Sequence, residues 1–312
     1  MSVRAKIISF LMRRTIKKQL ANIGDDIDAF RARISGASGL SPGIPGEVRI
    51  EPIDISGISC EWISLEGSFG SAQDRSDARR ILLYFHGGGY VLGGLDGHRD
   101  LAWRLAEASG LKVLLVDYRL APENPFPAAV EDATACYRWL LDAGFRADHI
   151  MIGGDSAGGG LTVATLVNLK NLGLAQPSGA ILMSPWVDLS VSGASVPTNE
   201  TADCMLSRAA LERFAELYLG DLDRKAPLAS PLFADLSGLP PLLVHVGSTE
   251  VLRSDAEQLV DNVKQAGGDA VLEVWPAMPH VFQVFAARIP EGKDAIRKLG
   301  AFLNSRTTAA AQ

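Results

Sequence analysis

The pentapeptide Gly-Asp-Ser-Ala-Gly at residues 154–158 joins a predicted strand to a predicted helix. The apolar run at 149–153 indicates a short buried strand, and residues 159–166 indicate the start of a helix. A strand, a sharp turn with a central serine and a helix together expose the serine hydroxyl as a nucleophile. Glycines on both sides let helix and strand approach closely, because no Cβ atoms intervene. Ser156 is therefore the candidate nucleophile.

A second glycine-rich segment, His-Gly-Gly-Gly-Tyr at 86–90, follows another predicted buried strand at 80–85. Acyl transfer needs fixed N–H groups that stabilise the oxyanion of a tetrahedral intermediate, and backbone amides in such a loop can supply them. We predict that the amides of Gly87, Gly88 and Ala157 form this oxyanion hole. Taken alone, the segment also fits an ordinary turn, but its place upstream of Ser156 favours the catalytic interpretation.

The general base is sought among the five histidines of the chain. In this layout the order along the chain is serine, acid, histidine, and only His245 and His280 follow Ser156. His280 lies in a loop after a predicted strand, where α/β proteins place their chemistry. His245 is the alternative, but it lies within an apolar strand, where a packed structural histidine is expected.

Glu250 is the candidate acid, because it directly follows the predicted strand that contains His245. A carboxylate there would orient His280 and stabilise its imidazolium. Asp255 is the alternative. It falls in the first turn of the next predicted helix, where an acidic side chain favours the helix dipole without taking part in chemistry.

These motifs together resemble the hormone-sensitive-lipase-like branch (bacterial family IV) of the α/β-hydrolase esterases. One position departs from the family, which usually carries its acid as Asp in an Asp-Pro-Leu context, whereas this chain has Glu-Val-Leu at 250–252. The matching segments are His-Gly-Gly-Gly-Tyr at 86–90, Asp-Tyr-Arg-Leu-Ala-Pro-Glu at 117–123, Phe-Pro-Ala-Ala-Val-Glu-Asp at 126–132, Gly-Asp-Ser-Ala-Gly-Gly-Gly at 154–160, Ser-Pro-Trp-Val-Asp-Leu at 184–189 and Pro-His-Val-Phe at 279–282.

The resemblance implies a carboxylesterase that hydrolyses short- to medium-chain esters through an acyl-enzyme, with no cofactor and no metal. Tyr90 and Trp186 would line the substrate pocket, although aromatic residues beside a core more often serve packing. The resemblance also implies a homodimer formed through the last strand of the sheet, at 270–275. Two alternative functions remain open: an amidase or peptidase that uses the same triad, and a non-catalytic small-molecule receptor with the same fold.

Composition limits the partners of this chain. The net charge of −6 argues against nucleic acid. The three cysteines are scattered, with neither metal-ligand spacing nor a disulfide framework, which favours a reducing, cytoplasmic location. No segment approaches the roughly 20 apolar residues that a membrane span requires, so stable membrane insertion is not expected.

The alternation of predicted strands and helices indicates a mostly parallel sheet flanked by helices. Two segments interrupt it and are assigned to a helical cap, residues 1–45 and 188–230; residues 46–187 and 231–312 form the catalytic domain. Residues 3–20 predict one basic amphipathic helix, for which a cap role is favoured over membrane contact. Residues 35–46 read as a linker, residues 281–304 as one helical stretch, and residues 307–312 as a disordered tail.

Overall fold

A single mixed sheet forms the centre of the protein. The computed structural model describes residues 1–35, 43–66 and 80–308. Its strands are β1 (Val48–Ile55), β2 (Ile58–Leu65), β3 (Ile81–Phe85), β4 (Lys112–Val116), β5 (Ile150–Asp155), β6 (Gly179–Met183), β7 (Leu242–Gly247) and β8 (Ala270–Trp275). They are ordered β1-β2-β4-β3-β5-β6-β7-β8. The β1–β2 and β2–β4 pairs are antiparallel, and the other neighbours are parallel.

Helices cover both faces of this sheet. The described part of the chain contains the helices α1 (Val3–Arg14), α2 (Ile16–Leu20), α3 (Ile27–Ser35), α4 (Leu95–Ser109), α5 (Ala128–Asp142), α6 (Ala157–Asn171), α7 (Ser195–Asn199), α8 (Arg208–Leu219), α9 (Arg253–Gln265) and α10 (Pro290–Thr308). Apolar residues of α5, α6 and α9 pack on one face of the sheet, and those of α4 and α10 pack on the other. Because both faces are buried, the central strands are continuously apolar rather than alternating.

The predicted α/β architecture, a mostly parallel sheet flanked by helices, is confirmed, and its first two strands form an antiparallel pair. The segment at 188–230, which was assigned to a helical cap, forms α7 and α8. The Ser207 side chain accepts from the amide of Ala210 at the N-terminus of α8, as an N-cap does. The carboxyl ends of β3, β5, β6 and β7 lie at one edge of the sheet, so the loops that follow these strands converge there.

Two predicted helices are wrong in extent. The basic N-terminal helix is broken at Thr15, whose ψ of −77° separates α1 from α2. The stretch at 281–304 begins with Val281 at a φ of 46°, forms a 3₁₀ turn at Phe282–Phe285, and becomes α-helical only from Pro290. Proline lacks an amide hydrogen and fits only the first turn of a helix, which explains this start. The structure also adds α3, α4 and α7, which were not predicted individually from the sequence.

The N-terminal helices contact the segment between β6 and β7. Arg13 donates to the carbonyl groups of Thr201 and Ala202, and Lys17 donates to those of Glu200 and Asp203. The predicted linker at 35–46 lies largely outside the described residues, as does most of the tail at 307–312. Among the helices that are described, none is both long and apolar enough to cross a bilayer.

Candidate active site

Ser156 occupies a strained turn between β5 and α6. Its φ of 53° and ψ of −120° are unfavourable for a residue with a side chain. The turn is fixed from both sides, because the Ser156 amide donates to the Met183 carbonyl at 2.8 Å and its own carbonyl accepts from Trp186 at 3.0 Å. A Cβ at Gly158 would lie 2.1 Å from the Phe85 carbonyl oxygen, so only glycine lets α6 approach β3 this closely. The hydroxyl is thereby presented at the converging strand ends.

His280 lies in the loop after β8, and its ring joins two of the predicted site residues. Its Nε2 is 2.9 Å from the Ser156 Oγ, and its Nδ1 is 2.7 Å from a Glu250 carboxylate oxygen. A carboxylate only accepts hydrogen bonds, so the proton of a neutral ring belongs on Nδ1. Nε2 is then left to accept from the Ser156 hydroxyl, which is the arrangement of a nucleophile with its base.

Glu250 is fully buried in the turn that follows β7, and both of its carboxylate oxygens have hydrogen-bond partners. Oε2 faces His280, while Oε1 accepts from the amide of Gly247 and, at 2.8 Å, from the hydroxyl of Ser184. Ser184 Oγ in turn accepts from the amide of Val281 at 3.1 Å. The Ser184 hydroxyl therefore connects the Glu250 carboxylate to the backbone of the loop that carries His280.

Two opposing effects set the pKa of His280. Burial by itself lowers the pKa of His280, but the hydrogen bond and negative charge of Glu250 raise it more, and the net pKa lies above the ordinary value of 6.5. The imidazolium that forms when His280 takes a proton is thus stabilised in place. Proton transfer from Ser156 to His280 is favoured by the same interaction.

The three-glycine loop lies against the amino-terminal end of α6. No described residue accepts a hydrogen bond from the amides of Gly87, Gly88 or Ala157, so these three N–H groups remain available to a ligand. The loop is held from behind, because the Tyr118 hydroxyl donates to the His86 carbonyl at 2.7 Å. Ala157 is the first residue of α6, where free amides and the helix dipole favour an anion.

Comparison with known proteins agrees with this geometry. A family model described as an alpha/beta hydrolase fold matches residues 82–284. An acetyl-hydrolase of Streptomyces hygroscopicus is 44% identical over 263 residues, which are 84% of each chain. The crystal structure of an esterase from the bacterial hormone-sensitive lipase family superposes with a TM-score of 0.90 at 43% identity, covering 98% of this chain and 99% of that one.

The chain belongs to the hormone-sensitive-lipase-like branch of the α/β hydrolases. A further solved relative, EstE5 soaked with p-nitrophenyl butyrate, gives a TM-score of 0.88 at 38% identity and covers 99% of this chain and 100% of its own.

The alternatives for base and acid lie elsewhere in this hydrolase. His245 is buried within β7, where burial lowers its pKa to about 3. Asp255 accepts from the amides of Val187 and Asp188, and burial together with the charge of Asp188 raises its pKa well above the ordinary value. Neither side chain hydrogen-bonds to His280. Both are buried within the fold, which indicates a structural role.

The two aromatic residues predicted to bind substrate are buried in the hydrolase. Tyr90 stacks on Tyr218 with ring centroids 4.0 Å apart, and the Trp186 indole donates to the Asp188 carbonyl at 3.0 Å. Both rings are almost wholly covered. Their positions favour the packing interpretation over direct contact with substrate.

Asp155, which directly precedes Ser156, is buried in a polar group with Tyr84 and His98. It accepts from the Tyr84 hydroxyl at 2.7 Å and lies 3.4 Å from His98 Nε2. Burial raises the pKa of Asp155, but His98 and Tyr84 lower it more. A Cβ on Gly87 would lie 2.2 Å from Asp155 Oδ2, so Asp155 also packs directly against the three-glycine loop, which indicates a structural role.

The residues that hold Glu250 in place were not predicted from the sequence. Besides Ser184, these are Asn199, which donates to the Glu250 carbonyl at 2.7 Å, and Asp203, which accepts from the Val251 amide at 2.9 Å. Ser184 could have been found from its place just after β6, at the catalytic edge. Asn199 and Asp203 carried no such signal, because they lie in an insertion far from Glu250 in sequence.

Proposed function

We propose that this protein is a carboxylesterase that cleaves short- to medium-chain esters through a Ser156–His280–Glu250 triad. The observation that carries the proposal is the continuous hydrogen-bonded path from the Ser156 hydroxyl through both nitrogens of His280 to the carboxylate of Glu250. The unsatisfied amides of Gly87, Gly88 and Ala157 support the oxyanion hole.

In the first half of the reaction, the Ser156 Oγ attacks the ester carbonyl carbon while its proton moves to His280 Nε2. The carbonyl oxygen gains negative charge and is stabilised by the amides of the three-glycine loop and Ala157. The C–O bond to the alcohol then breaks, and the alcohol leaves with the proton from Nε2. An acyl-serine remains.

In the second half, His280 Nε2 takes a proton from water, and the hydroxide oxygen attacks the acyl carbon. The bond to Ser156 Oγ breaks, the proton returns to Oγ, and the carboxylic acid is released. Glu250 keeps the ring in the correct tautomer and stabilises the charged ring throughout. His280 Nε2 therefore carries the proton in both halves of the reaction.

The proposed substrate size rests on the cap and on the relatives. We propose that residues 1–45 and 188–230 form this cap over the catalytic domain, which residues 46–187 and 231–312 make up. The Phe214 ring of α8 lies where a Cβ on Gly89 would be only 2.7 Å away, so this segment closes on the three-glycine loop. The names acetyl-hydrolase and p-nitrophenyl butyrate among the relatives both refer to short acyl groups.

Hydrolysis of p-nitrophenyl esters from acetate to palmitate tests the proposal, with Ser156→Ala as the control. We expect a maximum at short chains and a loss on the order of 10⁶-fold in kcat in the variant. Matched p-nitroanilides should turn over far more slowly than the esters. Equal or faster turnover of the anilides would indicate an amidase, and no Ser156-dependent turnover would contradict catalysis altogether.

We propose further that β8 mediates a homodimer and that the protein works in the cytoplasm. In support of the first, β8 lies at the sheet edge and exposes Val271. In support of the second, Cys60 and Cys136 are free thiols with their sulfur atoms 4.0 Å apart. Light scattering of Val271→Asp, and fractionation of cells, test these two statements.

A further inference from the structure

Helix α1 has two apolar faces, and the described part of the protein covers one of them. Ala5 and Met12 are buried, and Ala5 clusters with Met278 and Phe282, which flank the histidine of the active site. On the opposite side of the helix, large apolar side chains are exposed to solvent. They are Val3 (72%), Ile7 (54%), Phe10 (53%) and Leu11 (52%).

These exposed residues form one stripe with a basic border. Successive residues of an α-helix are about 100° apart, so positions 3, 7, 10 and 11 share one side. By the same geometry, Arg4 and Lys6 lie on its two flanks. Arg14 lies at the carboxyl end, with its guanidinium 4.3 Å from the Phe10 ring centroid. We call this surface the α1 stripe.

The charge around the α1 stripe is opposite to that of the whole protein. Residues 1–24 contain six basic side chains and no acidic one, although the chain has a net charge of −6. Arg13 and Lys17 are engaged by the carbonyl groups of residues 200–203. Three exposed cations of α1 therefore remain beside the stripe: Arg4, Lys6 and Arg14.

We propose that the α1 stripe docks this protein onto an anionic lipid surface. An amphipathic helix with a basic border lies in the plane of the interface, with its apolar side chains among the lipid headgroups and its cations near the phosphates. The 12 residues of α1 are too few to span a bilayer, so the contact is peripheral.

Charge favours lipid over a second copy of the chain as the occupant. A symmetric dimer through the α1 stripe would bring two identical basic borders together, and like charges across an interface are unfavourable. An anionic membrane instead complements the border. Since Met278 and Phe282 lie under α1, docking would also hold the active-site side of the molecule at the lipid surface.

Sedimentation with vesicles tests this proposal without any need for turnover. The full chain carrying Ser156→Ala is mixed with vesicles of phosphatidylcholine alone or with about one-third phosphatidylglycerol. We expect binding to the anionic vesicles, weakened about five-fold for each of Lys6→Gln and Arg14→Gln. Ile7→Ser with Phe10→Ser should reduce partitioning at least roughly ten-fold. Leu222→Ser, which changes an exposed leucine outside the stripe, should leave it unchanged.

Salt and oligomeric state distinguish the remaining outcomes. Binding should fall between about 0.05 and 0.5 M salt, because the basic border is screened. No sedimentation, or equal binding to both vesicle types, would overturn the proposal. A dimer that dissociates in the Ile7→Ser, Phe10→Ser variant would also overturn it, by assigning the stripe to a second copy. A failure of the esterase assignment would leave all of these measurements unaffected.

Discussion

Replacing Glu250 by glutamine is the sharpest test of the triad, because its effect can be worked out atom by atom. The Gly247 amide can only donate, so it requires an acceptor at the position of Oε1. The oxygen of a glutamine would occupy that position and place its NH₂ group against His280 Nδ1. Nδ1 would then have to accept, and the ring proton would move to Nε2, where it faces Ser156. A ring protonated there cannot take the serine proton.

The expected loss is large, because the ring is held in the wrong tautomer while the geometry stays intact. The equivalent change in serine proteases lowers kcat about 10⁴-fold, which corresponds to roughly 5.5 kcal/mol of transition-state stabilisation. The pH profile should change as well. Glu250 raises the pKa of His280, so its neutralisation lowers that pKa and moves the acidic limb of kcat/KM to lower pH.

Steady-state hydrolysis of p-nitrophenyl butyrate across pH measures both effects, with Asp255→Asn as the matched buried control. That variant keeps an oxygen for the amides of Val187 and Asp188 and should retain activity within about ten-fold. Glu250→Asp shortens the side chain by about 1.5 Å and should fall between wild type and Glu250→Gln. If Asp255→Asn loses more activity than Glu250→Gln, the assignment of the acid is wrong.

Two further predictions concern the surroundings of the triad. Gly88→Ala should abolish esterase activity, because Gly88 has a φ of +126° and an added Cβ would lie 2.1 Å from the Leu92 carbonyl oxygen. Gly97→Ala is the matched control and should be near wild type, because its Cβ would meet nothing within 4 Å. Comparable kcat for these two variants would remove the loop from the mechanism. Asn199→Ala removes the hydrogen bond to the Glu250 carbonyl, so it should lower kcat about ten- to a hundred-fold with little change in KM and shift the acidic limb of the pH profile. Thr198→Ala, on the exposed side of the same short helix, should have neither effect. An unchanged pH profile in Asn199→Ala would leave it a purely structural residue.

The catalytic edge of the sheet could be predicted because its signals are local. A buried parallel strand is a short apolar run, and a turn that must strain a serine or expose backbone amides needs glycine beside it. Ser156 and the loop at 86–90 therefore stand out in the sequence.

The helix boundaries that were wrong show the limit of periodicity. The stretch at 281–304 is apolar enough for one helix, yet Val281 adopts a left-handed φ, and its amide donates to Ser184 Oγ instead of continuing a helix. The break at Thr15 likewise leaves the apolar pattern of residues 3–20 unaltered while redirecting the chain. Local helix propensity indicated neither the turn at Val281 nor the break at Thr15, because tertiary contacts override helix propensity.

The sequence by itself determined the α/β class, the candidate nucleophile, and the order of serine, acid and histidine along the chain. These depend on residue type and spacing. Only the tertiary structure decided that His280 faces Ser156 and Glu250, and that Asn199 and Asp203 of a distant insertion hold the Glu250 loop. A hydrogen bond depends on a separation of about 3 Å in space, and sequence separation does not encode that distance until the strands are aligned.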